Sequence, residues 1–408
     1  MTLPVRAAPD IDRSALMHTY PEPPRTFVRG RGTLLWDTEG NRYLDFLGGL
    51  AVVSLGHAHP VVAEAIAEQA ATLVHVSNLF GNTVGPEVAA TLDRLIGGGE
   101  RAGGQVFFGN SGAEANECAI KLARRFAGPG RHVVLSATDS FHGRTLATLH
   151  ATGQPAKHLP FAPMPTGFEH VPYDDLDVLD AAMDPTRVAA VLLEPIQGES
   201  GVLMPSSDYL AGVRELCNDR GILLMLDEVQ TGLGRTGRWF AHHHTGVSPD
   251  VVTMAKALGN GFPIGACWAR AEVAAAFGPG DHGSTFGGQP LAAAAARATL
   301  AVMEAIDAPA LAAAAGSRLR AGLVRLPGVV SVRGAGLLLG AALDGDRAPA
   351  VVTAALDRGL VVNAPRPDTV RLAPPLTVSD DEIDEALAIL GTALTAVGAG
   401  PARDAEAP

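Results

Sequence analysis

Lys256 lies in the run Met254-Ala255-Lys256-Ala257-Leu258-Gly259, 29 residues after Asp227, which closes the apolar stretch Ile222-Leu223-Leu224-Met225-Leu226. A lysine amine can join a carbonyl as a Schiff base, and a carboxylate at a strand end can keep a pyridine nitrogen protonated so that its ring withdraws electrons. The pair therefore suits pyridoxal 5'-phosphate and amino-acid chemistry. Either residue alone reads as a solvated side chain at the end of an element, so the reading depends on what else the chain offers a phosphate and a substrate carboxylate.

Several segments offer it. Asn110-Ser111-Gly112-Ala113-Glu114 falls between a strand pattern and a helix pattern, with small residues where backbone must approach a ligand and free amides that can cradle phosphate. Ser111 also reads as a plain helix N-cap. Phe141-His142-Gly143-Arg144-Thr145 offers rings that can stack on a planar cofactor and an arginine that can fork onto a carboxylate. Glu199 sits between glycines in Glu194-Pro195-Ile196-Gln197-Gly198-Glu199-Ser200-Gly201, which suits a carboxylate in a close-packed turn. Gln230 follows Asp227 within reach of the cofactor's phenolic oxygen, and the hydroxyls of Ser284 and Thr285 in Gly283-Ser284-Thr285-Phe286-Gly287-Gly288 suit a phosphate oxygen. His242-His243-His244 resembles a metal tract, but consecutive side chains diverge and no acidic or cysteine partner is near in sequence, so no metal is expected. His57 and His59, flanking Ala58 before Pro60, read as a turn into a helix.

The elements that must position these residues follow from the apolar pattern. Strands over 105–108, 132–135, 188–193, 222–226 and 251–254 alternate with helices over 114–126 and 209–220, the signature of an α/β protein. Runs so uniformly apolar imply strands covered on both faces, hence a mainly parallel sheet with ligands at the strand carboxyl ends. Upstream, Trp36, Gly40, Tyr43 and Phe46 mark turns and short strands. Downstream come an alanine-rich helix over 291–306, strands over 337–343, 360–362 and 370–372, and a helix opened by the capping box Ser379-Asp380-Asp381-Glu382. The expected organisation is a large domain over 63–296 and a small α+β domain from both chain ends, 1–62 and 297–408.

Composition narrows the class. The chain is 47% apolar and 18% charged, as in soluble globular proteins, and its formal charge of -12 gives no basic footprint for nucleic acid and no attraction to an anionic membrane. Cys118, Cys217 and Cys267 are an odd, widely spaced set that favours neither a disulfide framework nor a zinc cage, so a reducing cytoplasm is expected. Residues 1–12 carry charge and prolines but no apolar signal core, and residues 398–408 read as a frayed end.

Taken together, the segments resemble the class III pyridoxal-phosphate aminotransferases, which have the aspartate-aminotransferase-like (type I) fold, and within them the acetylornithine aminotransferases of arginine biosynthesis. The resemblance covers nearly the whole chain. Besides the motifs above it is carried by Ser54-Leu55-Gly56-His57-Ala58-His59-Pro60, Val76-Ser77-Asn78-Leu79-Phe80 and Val370-Arg371-Leu372-Ala373-Pro374-Pro375. Gln289, Asn260 and Val53 depart from the usual residues on what would be the substrate side.

The resemblance implies roles. Gly112 and Ala113, with Ser111, would hold the phosphate, Phe141 would stack on the ring beside His142, Asp227 would pair with the ring nitrogen and Gln230 would meet the phenolic oxygen. Lys256 would be the Schiff-base lysine and proton shuttle. Thr285 would reach the phosphate of a neighbouring subunit in a homodimer with shared sites. Arg144 and Arg371 would clamp substrate carboxylates beside Ser284, with Glu199 paired to Arg371 when that arginine is empty. The implied reaction moves an amino group from N2-acetylornithine to 2-oxoglutarate, giving N-acetylglutamate 5-semialdehyde and glutamate. Open beside it are ornithine, succinylornithine, succinyl-diaminopimelate, 4-aminobutyrate or lysine as donor, an aminomutase on the same scaffold, and a non-catalytic cofactor-binding regulator.

Overall fold

The computed structural model describes residues 13–398. The readings of residues 1–12 and 399–408 lie outside them.

Seven strands form the central sheet, in the spatial order Gly104–Gly109, Gly265–Arg270, Val251–Met254, Leu223–Asp227, Val188–Leu193, Val133–Ala137, Phe168–Val171. Only Gly265–Arg270 runs against its neighbours, and the remaining adjacent pairs are parallel. The fold is thus the expected α/β one with a mainly parallel sheet. Both faces are covered: Val134, Leu223 and Met225 pack into one apolar cluster, whereas Val133, Leu135, Leu224 and Leu226 pack into another. Successive strand side chains point to opposite faces, so a sheet with two buried faces demands uninterrupted apolar runs.

Gly265–Arg270 and Phe168–Val171 were not among the strands read from the sequence. Gly265-Ala266-Cys267-Trp268 is short and rich in small residues, and it becomes a strand because ladders form on both of its edges. Elsewhere the patterns hold with small shifts: the helices Gly112–Ala127, Tyr209–Arg220 and Pro290–Ala305 form, and the capping box opens Asp380–Ala396 through Ser379 and Glu382.

Two smaller sheets flank the large one. Phe27–Arg31, Leu34–Asp37 and Arg42–Asp45 are joined by Leu360–Val361, which pairs in parallel with Arg42–Asp45 and so links the two ends of the chain. Val329–Ala335, Leu338–Leu343, Thr369–Leu372 and Asn363–Arg366 form an antiparallel sheet that carries Arg371. No single helix among the described residues is long and apolar enough to cross a membrane, and the three cysteines are buried and unpaired by disulfide.

Candidate active site

The carboxyl ends of the central strands open on a cavity of about 400 Å³. Ten of the sequence-selected residues line it: Ser111, Gly112, Ala113, Phe141, His142, Arg144, Glu199, Asp227, Gln230 and Lys256. Arg371 lies directly behind, bonded to Glu199 and Gln230. Ser284 and Thr285 do not line the cavity of their own chain. Ser284 Oγ accepts a bond from Asn110 Nδ2 at 3.4 Å and from the Gly287 amide at 3.0 Å, and Thr285 is exposed.

Asp227 ends the strand Leu223–Asp227 and is 4% exposed. Its Oδ2 accepts from Asn116 Nδ2 at 2.7 Å and meets His142 Nδ1 at 2.8 Å, while Oδ1 accepts the Val229 amide at 3.0 Å. Asn116 is itself fixed: Thr253 Oγ1 donates to its Oδ1 at 2.7 Å, which turns the amide nitrogen toward Asp227. A carboxylate held by several donors is oriented before any ligand arrives. His142, read from the sequence as a stacking ring or cofactor contact, lines the cavity and is buried with Nδ1 on Asp227, and its Nε2 has no partner among the described residues. Sequence reasoning missed Asn116 and Thr253, although a lone hydroxyl inside the apolar strand Val251–Met254 was the available signal, since a buried polar atom needs a partner.

Lys256 follows that strand at the start of the short turn Lys256–Gly259, with φ 39°, a left-handed conformation uncommon for a residue with a side chain and often stored at functional sites. Burial, reinforced by Arg371, holds its amine below the ordinary lysine pKa against the pull of Glu199, Asp227 and Glu194. A desolvated lysine of this kind has more of the neutral amine that nucleophilic and base chemistry needs.

Ser111 caps Gly112–Ala127 by accepting the Glu114 amide at 3.2 Å. The amides of Gly112 and Ala113 belong to the first turn, which has no intrahelical acceptors, and they sit in the cavity wall. The N-terminus of this 16-residue helix is therefore a place for an anion.

Arg371 is fully buried. Its Nη1 donates to Glu199 Oε1 at 2.6 Å, to the Gly198 carbonyl at 3.0 Å and to Gln230 Oε1 at 3.3 Å, and its Nε donates to Asn363 Oδ1 at 3.1 Å. Its Nη2 is buried with no partner among the described residues. Burial works against the Glu199 charge, but the Arg371 guanidinium holds its carboxyl below the usual range. Gly198 is needed for this packing, because a Cβ there would overlap the Gln230 amide oxygen. Glu194, also missed as a site residue, accepts the Phe141 amide at 3.0 Å, and burial, with Asp227 and Glu199 nearby, pushes its pKa up to about 7 against the opposing effect of His142.

The departures have structural accounts. Asn260 takes the left-handed position that follows Lys256–Gly259 (φ 47°), which asparagine tolerates, and its side chain accepts the Leu55 amide and donates to the Gly56 carbonyl. Gln289 accepts the Val76 amide and donates to Asn78. Val53 is partly buried, and nothing in the structure explains why it stands there. Of the three histidines in a row, His242 is buried with Nδ1 2.9 Å from Glu228 Oε1.

Residues 16–394 match the family Aminotransferase class-III. The chain is 51% identical to an acetylornithine aminotransferase of Corynebacterium efficiens, over 94% of this chain and 96% of that one. Among solved structures it resembles an N-acetylornithine aminotransferase from Stenotrophomonas maltophilia (38% identity, TM-score 0.81, covering 93% of this chain and 98% of that one). It also resembles an ornithine aminotransferase from Toxoplasma gondii with partial occupancy of PLP at its active site (36% identity, TM-score 0.89, covering 95% and 93%). The chain belongs to the class III aminotransferases.

Proposed function

We propose that this protein is an acetylornithine aminotransferase of arginine biosynthesis, transferring the δ-amino group of N2-acetylornithine to 2-oxoglutarate with pyridoxal 5'-phosphate as cofactor. The products are N-acetylglutamate 5-semialdehyde and glutamate. The observation that carries the reading is one cavity with a desolvated lysine, a strand-end carboxylate and an exposed arginine, backed by a second, buried arginine, in a chain 51% identical to an enzyme of that name.

The residues fit the cofactor. First-turn amides at Gly112 and Ala113 suit its phosphate, Asp227 suits its ring nitrogen, Gln230 its phenolic oxygen, and Phe141 presents a ring in the wall. When bound, the cofactor supplies a protonated ring that spreads the charge left on a substrate carbon as its proton departs. Asp227, held by Asn116, His142 and Val229, keeps the nitrogen end of that ring charged. Lys256 takes the proton from the substrate δ-carbon in one half-reaction and handles the α-proton of glutamate in the other. Arg144 receives the carboxylate distal to the reacting carbon in both substrates. Arg371 receives the α-carboxylate of glutamate when Glu199 swings away, and its unpartnered Nη2 is the donor already available. Acetylornithine has no carboxylate on its reacting carbon, so Glu199 stays on Arg371 and the buried cation is never left uncompensated.

The working unit in this reading is a cytoplasmic homodimer, with Ser284 and Thr285 serving the second copy's site and the chain divided as 1–62, 63–296 and 297–408. Support comes from Leu79, Phe80 and Phe286, which are 87%, 71% and 65% exposed and sit on segments held together where Asn78 donates to the Ser284 carbonyl. Large exposed apolar side chains grouped in this way mark contact surfaces. A panel of amine donors with and without 2-oxoglutarate, scored by glutamate formed, tests the activity. Acetylornithine should lead, and turnover without a keto acid, or preference for an unrelated amine, refutes the reading.

A further inference from the structure

We infer that Lys157 is a specificity-determining residue: together with Arg144 it makes the rim of the cavity doubly cationic, and this selects donors whose α-nitrogen is acylated over donors whose α-nitrogen is a free ammonium. The inference rests on the proposed function and names what sets its substrate choice.

Lys157 Nζ lies 5.4 Å and the Arg144 guanidinium carbon 5.6 Å from the centre of the Phe141 ring; Phe141 and Arg144 line the cavity, and Lys157 stands behind them, against that ring. No carboxylate among the described residues is within salt-bridge distance of either cation, and the hydrogen-bond partner of Lys157 is the neutral amide oxygen of Gln154. The placement is built in. Gln154 Nε2 donates to the Ser140 carbonyl at 2.9 Å, the residue just before Phe141, while Gly153 bridges to Thr138 and His158 Nε2 meets the Thr152 carbonyl at 2.7 Å. The segment that carries Lys157 is thus tied to the turn that carries Phe141 and Arg144. Partial burial and the neighbouring Arg144 charge both lower the Lys157 pKa, with Glu199 opposing, which agrees with the closeness of the two cations. In a chain of formal charge -12, two unpaired cations beside one ring are a local concentration of positive charge.

Acetylornithine and ornithine react at the same δ-amine and carry the same distal carboxylate. They differ at the α-nitrogen, which is a neutral amide in one and an ammonium in the other. Attraction of the carboxylate to the rim cations is common to both donors and cancels in the ratio of their kcat/KM values. Repulsion of the ammonium does not cancel. For unit charges about 6 Å apart in a half-exposed setting, that repulsion corresponds to about threefold to tenfold discrimination per cation.

The test measures kcat/KM for acetylornithine and for ornithine, each with 2-oxoglutarate, in the wild-type holoenzyme, Lys157→Met and Lys157→Arg. The acetylornithine-to-ornithine ratio should fall about threefold to tenfold in Lys157→Met, chiefly through a lower KM for ornithine, and should be retained in Lys157→Arg. Added salt should lower the wild-type ratio by screening and change the Lys157→Met ratio less. An unchanged ratio in Lys157→Met, or equal loss in the Met and Arg variants, overturns the charge mechanism. A wild-type enzyme that does not use acetylornithine refutes the proposed function instead, which is a separate outcome.

Discussion

Arg144 stands exposed at the rim with no carboxylate in salt-bridge reach among the described residues, whereas Arg371 is fully buried and donates to Glu199 at 2.6 Å. In the proposed reading both receive a substrate carboxylate. Water stabilises the rim cation when no ligand is present, so it needs no protein partner, and in the proposed reading it would serve any substrate with a distal carboxylate. The buried cation has lost its water, and an unpaired charge there is strongly destabilising, so it keeps Glu199 until a ligand replaces it. Exposure therefore gives permanent availability, and burial gives conditional availability.

The largest expected effect breaks this comparison on the buried side. Arg371→Ala should slow the glutamate and 2-oxoglutarate half-reaction by about 30-fold to 1,000-fold, the cost of removing one partner from a desolvated charge contact, and the acetylornithine half far less. Single-turnover absorbance changes with each substrate decide it, and equal damage to both halves would mean that Arg371 does not discriminate between substrates. On the rim side, Arg144→Ala should slow both halves by similar factors of roughly 10 to 100, as expected for losing a charged hydrogen bond. Loss in one half alone contradicts a shared clamp.

A smaller effect separates the two settings by solvent. Raising salt from about 0.05 M to about 0.5 M shortens the screening length severalfold, so KM for acetylornithine should rise in the wild type and much less in Arg144→Ala. A rise of the same size in both would place the salt-sensitive contact elsewhere.

The smallest effect is on stability and concerns Glu194, a buried carboxyl with no cation bonded to it among the described residues. Its pKa is raised to about 7, so between the ordinary carboxyl range and about pH 7 the folded protein holds a proton that the unfolded chain releases. Wild-type stability therefore falls as pH rises through that window, by about 2 to 3 kcal/mol if Glu194 acts alone. Glu194→Gln lacks this dependence, so its melting temperature relative to wild type should climb from about pH 5 to about pH 8. A constant difference across that range would show that Glu194 is already ionised in the fold.

Much of the site was legible because its chemistry falls at strand ends. The apolar strands ending at Leu193, Asp227 and Met254 each lead directly into site residues, and a chain that must bury both faces of a sheet leaves only these ends free for polar work. Asn116 was not legible, since its partners Asp227 and Thr253 are 111 and 137 residues away. Lys157 was equally hidden, because a lysine in a loop reads as solvated until the fold brings it to Phe141.

The sequence by itself determined the α/β layering, the order of the motifs, the Lys256 and Asp227 pair and the family, because period, run length and local spacing are properties of neighbouring residues. Only the tertiary structure decided that Gly265–Arg270 runs antiparallel inside the sheet, that His142 turns to Asp227, that His242 is paired with Glu228, and that Arg371 is buried with one nitrogen unpartnered. Each depends on burial and on partners distant in the chain. Desolvation is set by everything packed around a group, and no local pattern encodes it.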